Sequence, residues 1–308
     1  MNTPDKIKIG FLLSTMKEER YQHDRSLFMQ EAQQHNLDVI FASSNNDAQL
    51  QFERSKQMID LGVKLLVLQP VDIKESKKIV EYYYEHDIPV IAYDRSVESE
   101  ALLAHVTHSN FQIGVLQAKE AIEKKKDIRN VIICAGEKEH NVAMEITKAN
   151  IEVLEAHGIE PIVIFHPKWS SNQCKASVLK QIKEGLAVDV VLANNSQMAQ
   201  GAIEALESLG IDATEIFIAG ADGTTQACQN ILVNKQDFDV QKPIGPLVKE
   251  TLKLAQHTLN FKDLDWKRKI KYTKTVSVPV SSLRKNNLES AYQILTKGSQ
   301  SVCKKPSW

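Results

Sequence analysis

No stretch of this chain holds the roughly 18 consecutive apolar residues of a membrane-spanning helix. Its 308 residues also contain no Gly-x-Gly-x-x-Gly, no Gly-x-x-x-x-Gly-Lys and no Gly-x-Ser-x-Gly. A dinucleotide cofactor or a nucleotide therefore has no phosphate-binding turn, and a serine hydrolase has no nucleophile elbow. Charge of one sign is not in excess either: 38 Lys and Arg stand against 39 Asp and Glu, for a formal net charge of −1. Bulk electrostatics thus give no reason to expect a nucleic-acid partner. The four cysteines, Cys134, Cys174, Cys228 and Cys303, are far apart and form no Cys-x-x-Cys or Cys/His pairing of metal spacing, so no zinc site is expected. Cys134, in the apolar run VIICA, reads as a small core residue. An oxidising compartment is permitted but not indicated. The nine histidines form no His-Glu-x-x-His-like array, and His105 and His108 read as lying near a strand end rather than on a metal. No catalytic residue, metal or cofactor is expected, and hence no enzyme. The segment opens MNTPDKIKIGFLLS, running straight into a strand pattern without a signal peptide. Such a start fits a mature extracytoplasmic chain, a truncated one or a cytoplasmic one.

What is present is an alternation. Short apolar runs, KIGFLLS, DVIFASS, KLLVLQP, IPVIAYD, NVIICAG, PIVIFHP, DVVLANN and EIFIAGAD, are separated by amphipathic stretches. Near-continuous apolar strands alternating with helices predict parallel sheets covered on both faces. Ala199, Ala202, Ile203, Leu206 and Leu209 recur at helical spacing, as do Val248, Leu252, Ala255 and Leu259, giving each helix one buried stripe. The pattern restarts after about residue 108, and a helix from about Ile244 to Asn260 is followed by a late strand, TKTVSVPV. The fold class is therefore α/β, with two doubly wound parallel-sheet lobes joined by three crossings that act as a hinge. One lobe takes residues 1–108 plus about 244–275 and the other 109–243 plus about 276–300, with a ligand cleft expected between them.

Several apolar runs end in charged or amide residues. PVIAYDR delivers Asp94 and Arg95 to the carboxyl end of a strand, where open parallel sheets bind ligands. A loop salt bridge accounts for the same two residues equally well. Arg20, Asn141, Trp169, Asn195, Asp222 and Lys242 occupy comparable strand-end and loop positions. Arg, Asn, Asp and Lys supply the donors and acceptors that sugar hydroxyls need, and an aromatic ring packs on a sugar's apolar face. Trp169, in HPKWSSNQ, reads as that platform or as a half-buried packing residue.

The stretches EERYQHDR, AYDR, SNFQIGVLQAK, KWSSN, VLANN, GADGT and QKPIGPL, with the Asn141 loop, carry a family resemblance from about Lys6 to Val280. The chain resembles the periplasmic sugar-binding proteins of the ribose-binding type, which share the type I periplasmic binding protein fold, and among them the D-xylose-binding proteins of bacterial ABC transporters. The resemblance implies a monosaccharide ligand, most nearly D-xylose, gripped by Arg20, Arg95, Asn141, Trp169, Asn195, Asp222 and Lys242. Tyr21 takes the place of a second aromatic, normally Trp. Ser196 stands where an Asp is usual, and Gln241 replaces an aromatic. The resemblance further implies a periplasmic or other extracytoplasmic location and a membrane permease or sensor-kinase ectodomain as partner. An effector domain of a sugar-responsive transcription regulator shares the fold. It would need a helix-turn-helix, for which neither the residues before Lys6 nor the tail after Val280 have the length and pattern.

Overall fold

The computed structural model describes residues 6–160, 163–260, 266–269 and 274–288. These fall into two compact units, and the chain passes between them at His108/Ser109, Lys242/Pro243 and Val278/Pro279.

The first unit contains β1 (Ile7–Leu13), α1 (Glu19–Gln34), β2 (Leu37–Ser43), α2 (Ala48–Asp60), β3 (Leu66–Leu68), α3 (Ile73–Glu85), β4 (Val90–Tyr93) and β5 (Ala104–His108). The second unit holds α4 (Asn110–Lys124), β6 (Val131–Cys134), α5 (Asn141–Glu155), β7 (Val163–Phe165), α6 (Ser171–Lys183), β8 (Val190–Ala193), α7 (Ser196–Ser208), β9 (Phe217–Asp222), α8 (Thr225–Leu232) and β10 (Phe238–Gln241). Past Lys242, α9 (Ile244–Asn260) and β11 (Lys274–Val278) belong to the first unit and β12 (Ser281–Leu283) to the second. β11 lies wholly in the first unit, a few residues beyond the expected division near 275.

Each unit is built on a six-stranded sheet, in the order β11-β5-β4-β3-β1-β2 and β12-β10-β9-β8-β6-β7. The expected doubly wound α/β class holds, with one amendment. β12 runs antiparallel to β10, pairing Asp239 with Leu283, so the second sheet has an antiparallel edge. Strand alternation explains the two covered faces. In the first unit Phe11 stacks on Phe28 of α1, with ring centroids 4.0 Å apart. The adjacent Leu12 packs with Leu66, Leu68, Val80 and Tyr83. In the second unit Val131 and Ile133 meet Ile113, Ala118 and Ile146, whereas Ile132 and Cys134 meet Val178, Ala202, Ile203 and Leu206.

Helix starts are set locally by capping side chains that accept from otherwise orphaned backbone N–H groups. Asp47, Asp72, Ser170, Asn195 and Thr224 cap α2, α3, α6, α7 and α8. Three strands escape the apolar-run reading. β5 carries His105, Thr107 and His108, β10 carries a fully buried Asp239, and β12 is the short edge SSL. Among the described residues no helix is long and apolar enough to cross a membrane.

Candidate functional site

Every sequence-predicted site residue lies at the carboxyl end of a parallel strand or in the segment that leads from it into the first turn of the next helix. In the first unit Arg20 and Tyr21 open α1 after β1, and Asp94 and Arg95 follow β4. The structure brings these four together. Arg20 donates from Nη2 to Asp94 Oδ1 at 2.8 Å, with both side chains buried. Arg95 donates to the Tyr21 hydroxyl at 3.3 Å and to the Pro70 carbonyl at 3.3 Å. Burial pushes the Tyr21 hydroxyl up to about 12, against the opposing pull of Arg95, so it remains a neutral donor at physiological pH.

Asp94 takes a left-handed backbone, φ +63°. Its carbonyl accepts from Thr107 Oγ1 at 2.8 Å and lies 3.2 Å from His105 Nε2. The polar residues of β5 therefore brace the turn that presents Asp94. Arg20 also lies 3.6 Å from the buried Asp24, to which the Tyr93 hydroxyl donates. Asp94 is thus an ion-pair partner of Arg20, a residue 74 positions away, and not of a neighbour in its own loop.

In the second unit Asn141 starts α5 beyond β6, Trp169 lies between β7 and α6, Asn195 caps α7 after β8, Asp222 ends β9, and Lys242 follows β10. Lys242 Nζ stands 3.5 Å from Asp222 Oδ1. The Trp169 ring lies against Gly136, where a Cβ would sit 2.2 Å from indole Cζ2, so only glycine fits beneath it. The His140 ring meets the indole edge-on at 5.5 Å. Trp169 also packs against the core on both faces of the sheet. It is therefore a packing residue as well as a candidate platform.

Sequence reading missed a second set of amides at the same strand ends. Gln69, after β3, accepts at Oε1 from Ser14 N and Ser14 Oγ at 3.1 and 2.8 Å. Asn194, after β8, accepts from Gly136 N at 3.0 Å. Among the described residues Gln69 Nε2, Asn194 Nδ2 and Trp169 Nε1 are buried donors without a hydrogen-bond partner. Buried donors are seldom left unpaired, because each costs about 1–3 kcal/mol. A ligand rich in acceptor oxygens would satisfy them. The available signal was position: both amides directly follow an apolar run, in LVLQP and VLANN.

Asp239 was also missed. Fully buried, it accepts from Gly223 N at 2.8 Å, Ser196 Oγ at 2.9 Å and Gln236 Nε2 at 2.9 Å. Gly223 follows Asp222 and Ser196 follows Asn195, so one carboxyl holds the two turns that present candidate ligand groups. A carboxylate thus does reach Ser196, supplied by β10. Burial raises the Asp239 pKa to about 7, and the neighbouring Asp222 charge adds to the rise against three hydrogen bonds that lower it.

A carboxyl raised in the folded state keeps a proton that the unfolded chain releases, so stability falls as pH rises from near 4 to near 7 and flattens above. For Asp239 this amounts to roughly 2 kcal/mol lost between pH 5 and 7. Urea titrations of the parent and Asp239→Asn across that range should differ by this slope. Parallel curves would show that Asp239 is ionised throughout.

Residues 9–263 match the family described as periplasmic binding protein domain. The chain belongs to this family. The resemblance in its motifs is borne out, and as a periplasmic binding protein it is a solute-binding protein rather than an enzyme. It is 28% identical over 257 residues to the D-xylose-binding periplasmic protein of Haemophilus influenzae, covering 81% of this chain and 76% of that one. It is 26% identical over 256 residues to the protein of the same name in Escherichia coli, covering 81% and 77%. Among solved structures, an ABC transporter solute binding protein from Bacillus halodurans C-125 with bound myo-inositol superposes with a TM-score of 0.84. That match is at 24% identity and covers 95% of this chain and 99% of that one, a likeness of fold.

Proposed function

We propose that this periplasmic binding protein binds a monosaccharide, D-xylose first among them, through Arg20, Tyr21, Asp94, Arg95, Asn141, Trp169, Asn195, Asp222 and Lys242. The observation that carries this reading is that charged, amide and indole groups follow strand carboxyl ends in each unit, with buried donors on Gln69, Asn194 and Trp169 that have no hydrogen-bond partner among the described residues. Arg95, Lys242 and the amides donate to sugar oxygens, Asp222 accepts from hydroxyls, and the Trp169 ring packs on the apolar face of the pyranose. Asp94 serves chiefly by fixing Arg20. The choice of D-xylose rests on two relatives that bear that name. The protein acts outside the cytoplasm and delivers its sugar to the permease of an ABC transporter, or reports it to a membrane sensor kinase.

A thermal-shift screen of pentoses and hexoses tests the reading. A ligand that binds only the native state adds about 2.7 kcal/mol of stability at a hundredfold excess over Kd. D-Xylose should give the largest rise in Tm. A larger rise with another sugar would replace D-xylose and keep the sugar site, whereas no rise with any sugar would remove the sugar reading altogether.

A further inference from the structure

Cys134 is the last residue of β6 and Cys174 lies in the first turn of α6. Both are fully buried, and their sulfurs are 2.9 Å apart, inside van der Waals contact. They are packed among Ile132, Val178, Val191, Ala193 and Met198, with the Trp169 ring against the same cluster. We propose that Cys134 and Cys174 form a disulfide, an oxidation site that ties together the two chain segments meeting at the Trp169 ring. The argument rests on the sulfur pair and is independent of the sugar reading.

A disulfide needs the sulfurs about 2.05 Å apart, so the pair has to close by about 0.9 Å, a small side-chain adjustment. In the reduced form, contact with Cys174 and then burial hold the Cys134 thiol well above its ordinary pKa. Thiolate, the attacking species, is therefore scarce once the unit has folded. The bond forms during folding, before α6 closes over β6, and is afterwards sheltered from external thiols. In the oxidation, one cysteine thiolate attacks a low-molecular-weight disulfide such as oxidised glutathione and expels a glutathione thiolate. The second cysteine then attacks the mixed disulfide and expels the other. The two cysteines lose two protons and two electrons, and two molecules of reduced glutathione carry them away. No further oxidant is needed.

The bond would enclose residues 135–173, which include Gly136, His140, Asn141 and Trp169. It would pin the exit of β6, where Gly136 underlies the indole, to the start of α6, capped by Ser170 one residue after Trp169. Closing this loop removes freedom from the unfolded chain and so favours the folded unit. Cys228 lies elsewhere, on α8, and Cys303 lies outside the described residues.

The test is to refold the full chain in mixed reduced and oxidised glutathione, quench with acid, unfold it in an alkylating reagent and map its peptides. The expected result is a cross-linked pair of peptides containing Cys134 and Cys174, with alkylation confined to Cys228 and Cys303. Reduction with dithiothreitol in urea that opens the unit, followed by removal of the urea with the reductant kept, should then lower the Tm by several degrees in the parent and leave that of Cys174→Ala unchanged. Recovery of Cys134 and Cys174 as alkylated thiols would overturn the proposal, and so would a cross-link from either one to Cys228 or Cys303. The mapping is done on the parent chain, so it decides the matter even where the variant folds poorly.

Discussion

Asp94→Ala is expected to destabilise the fold by about 4 kcal/mol in urea unfolding. Arg20 and Asp94 are 9% and 3% exposed, and their 2.8 Å contact compensates the desolvation of both. Removing one partner of a buried pair leaves an unmatched charge, at about 3–5 kcal/mol. The lower end applies here, because Asp24 remains 3.6 Å from Arg20 Nε. A second cost adds to it: at φ +63° a residue without a polar side chain pays about 1–2 kcal/mol for the left-handed backbone. Asp94→Asn separates the two. Asparagine tolerates that backbone and still offers an acceptor to Arg20, so it should lose roughly half as much. If Asp94→Ala stayed within about 1 kcal/mol of the parent, the pair would behave as an ordinary solvated ion pair, and Asp94 would have no claim to fix Arg20.

The second large effect is expected at the indole. Trp169→Ala should weaken D-xylose binding by about 1–3 kcal/mol, on the proposed site, by removing the ring that packs on the sugar. It should also cost about 2–4 kcal/mol of stability, because the ring fills space against the core on both faces of the second sheet. The fold alone would therefore not distinguish a binding platform from a packing residue. Gly136→Ala does so from the other side. Its new Cβ would need the space of indole Cζ2, 2.2 Å away, so it displaces the ring without deleting it. Trp169→Phe keeps a ring and deletes the N–H that is buried without a partner among the described residues. Calorimetry should rank affinity as parent above Trp169→Phe, with Gly136→Ala and Trp169→Ala weakest. Unchanged affinity in Trp169→Ala, alongside lower stability, would leave the indole a purely structural residue.

Parts of this architecture were legible because they are local. An apolar run of strand length that will be covered on both faces looks the same wherever it lies, and β1 to β4, β6 to β9 and β11 were all recognisable in that way. The polar residue that closes a run marks the carboxyl end of a strand, and that alone placed Arg95, Asn195 and Asp222 at the ends of β4, β8 and β9. Where a buried strand carries polar residues, the signal fails. β5 was hidden by His105, Thr107 and His108, of which the first two serve the Asp94 carbonyl. β10 was hidden by Asp239, whose partners come from Ser196, Gly223 and Gln236.

The amino-acid sequence by itself determined the α/β alternation and most of the strand ends at which the candidate residues stand, because both follow from a period of a few residues and from turn chemistry. Only the tertiary structure decided what those residues do to one another: that Asp94 neutralises Arg20, that Asp239 braces the turns of Asn195 and Asp222, that Gly136 makes room for Trp169, and that Cys134 meets Cys174. Most of these partners are 30 or more positions apart. Their pairing is set by the order and register of strands in each sheet, and no local pattern of residues encodes it.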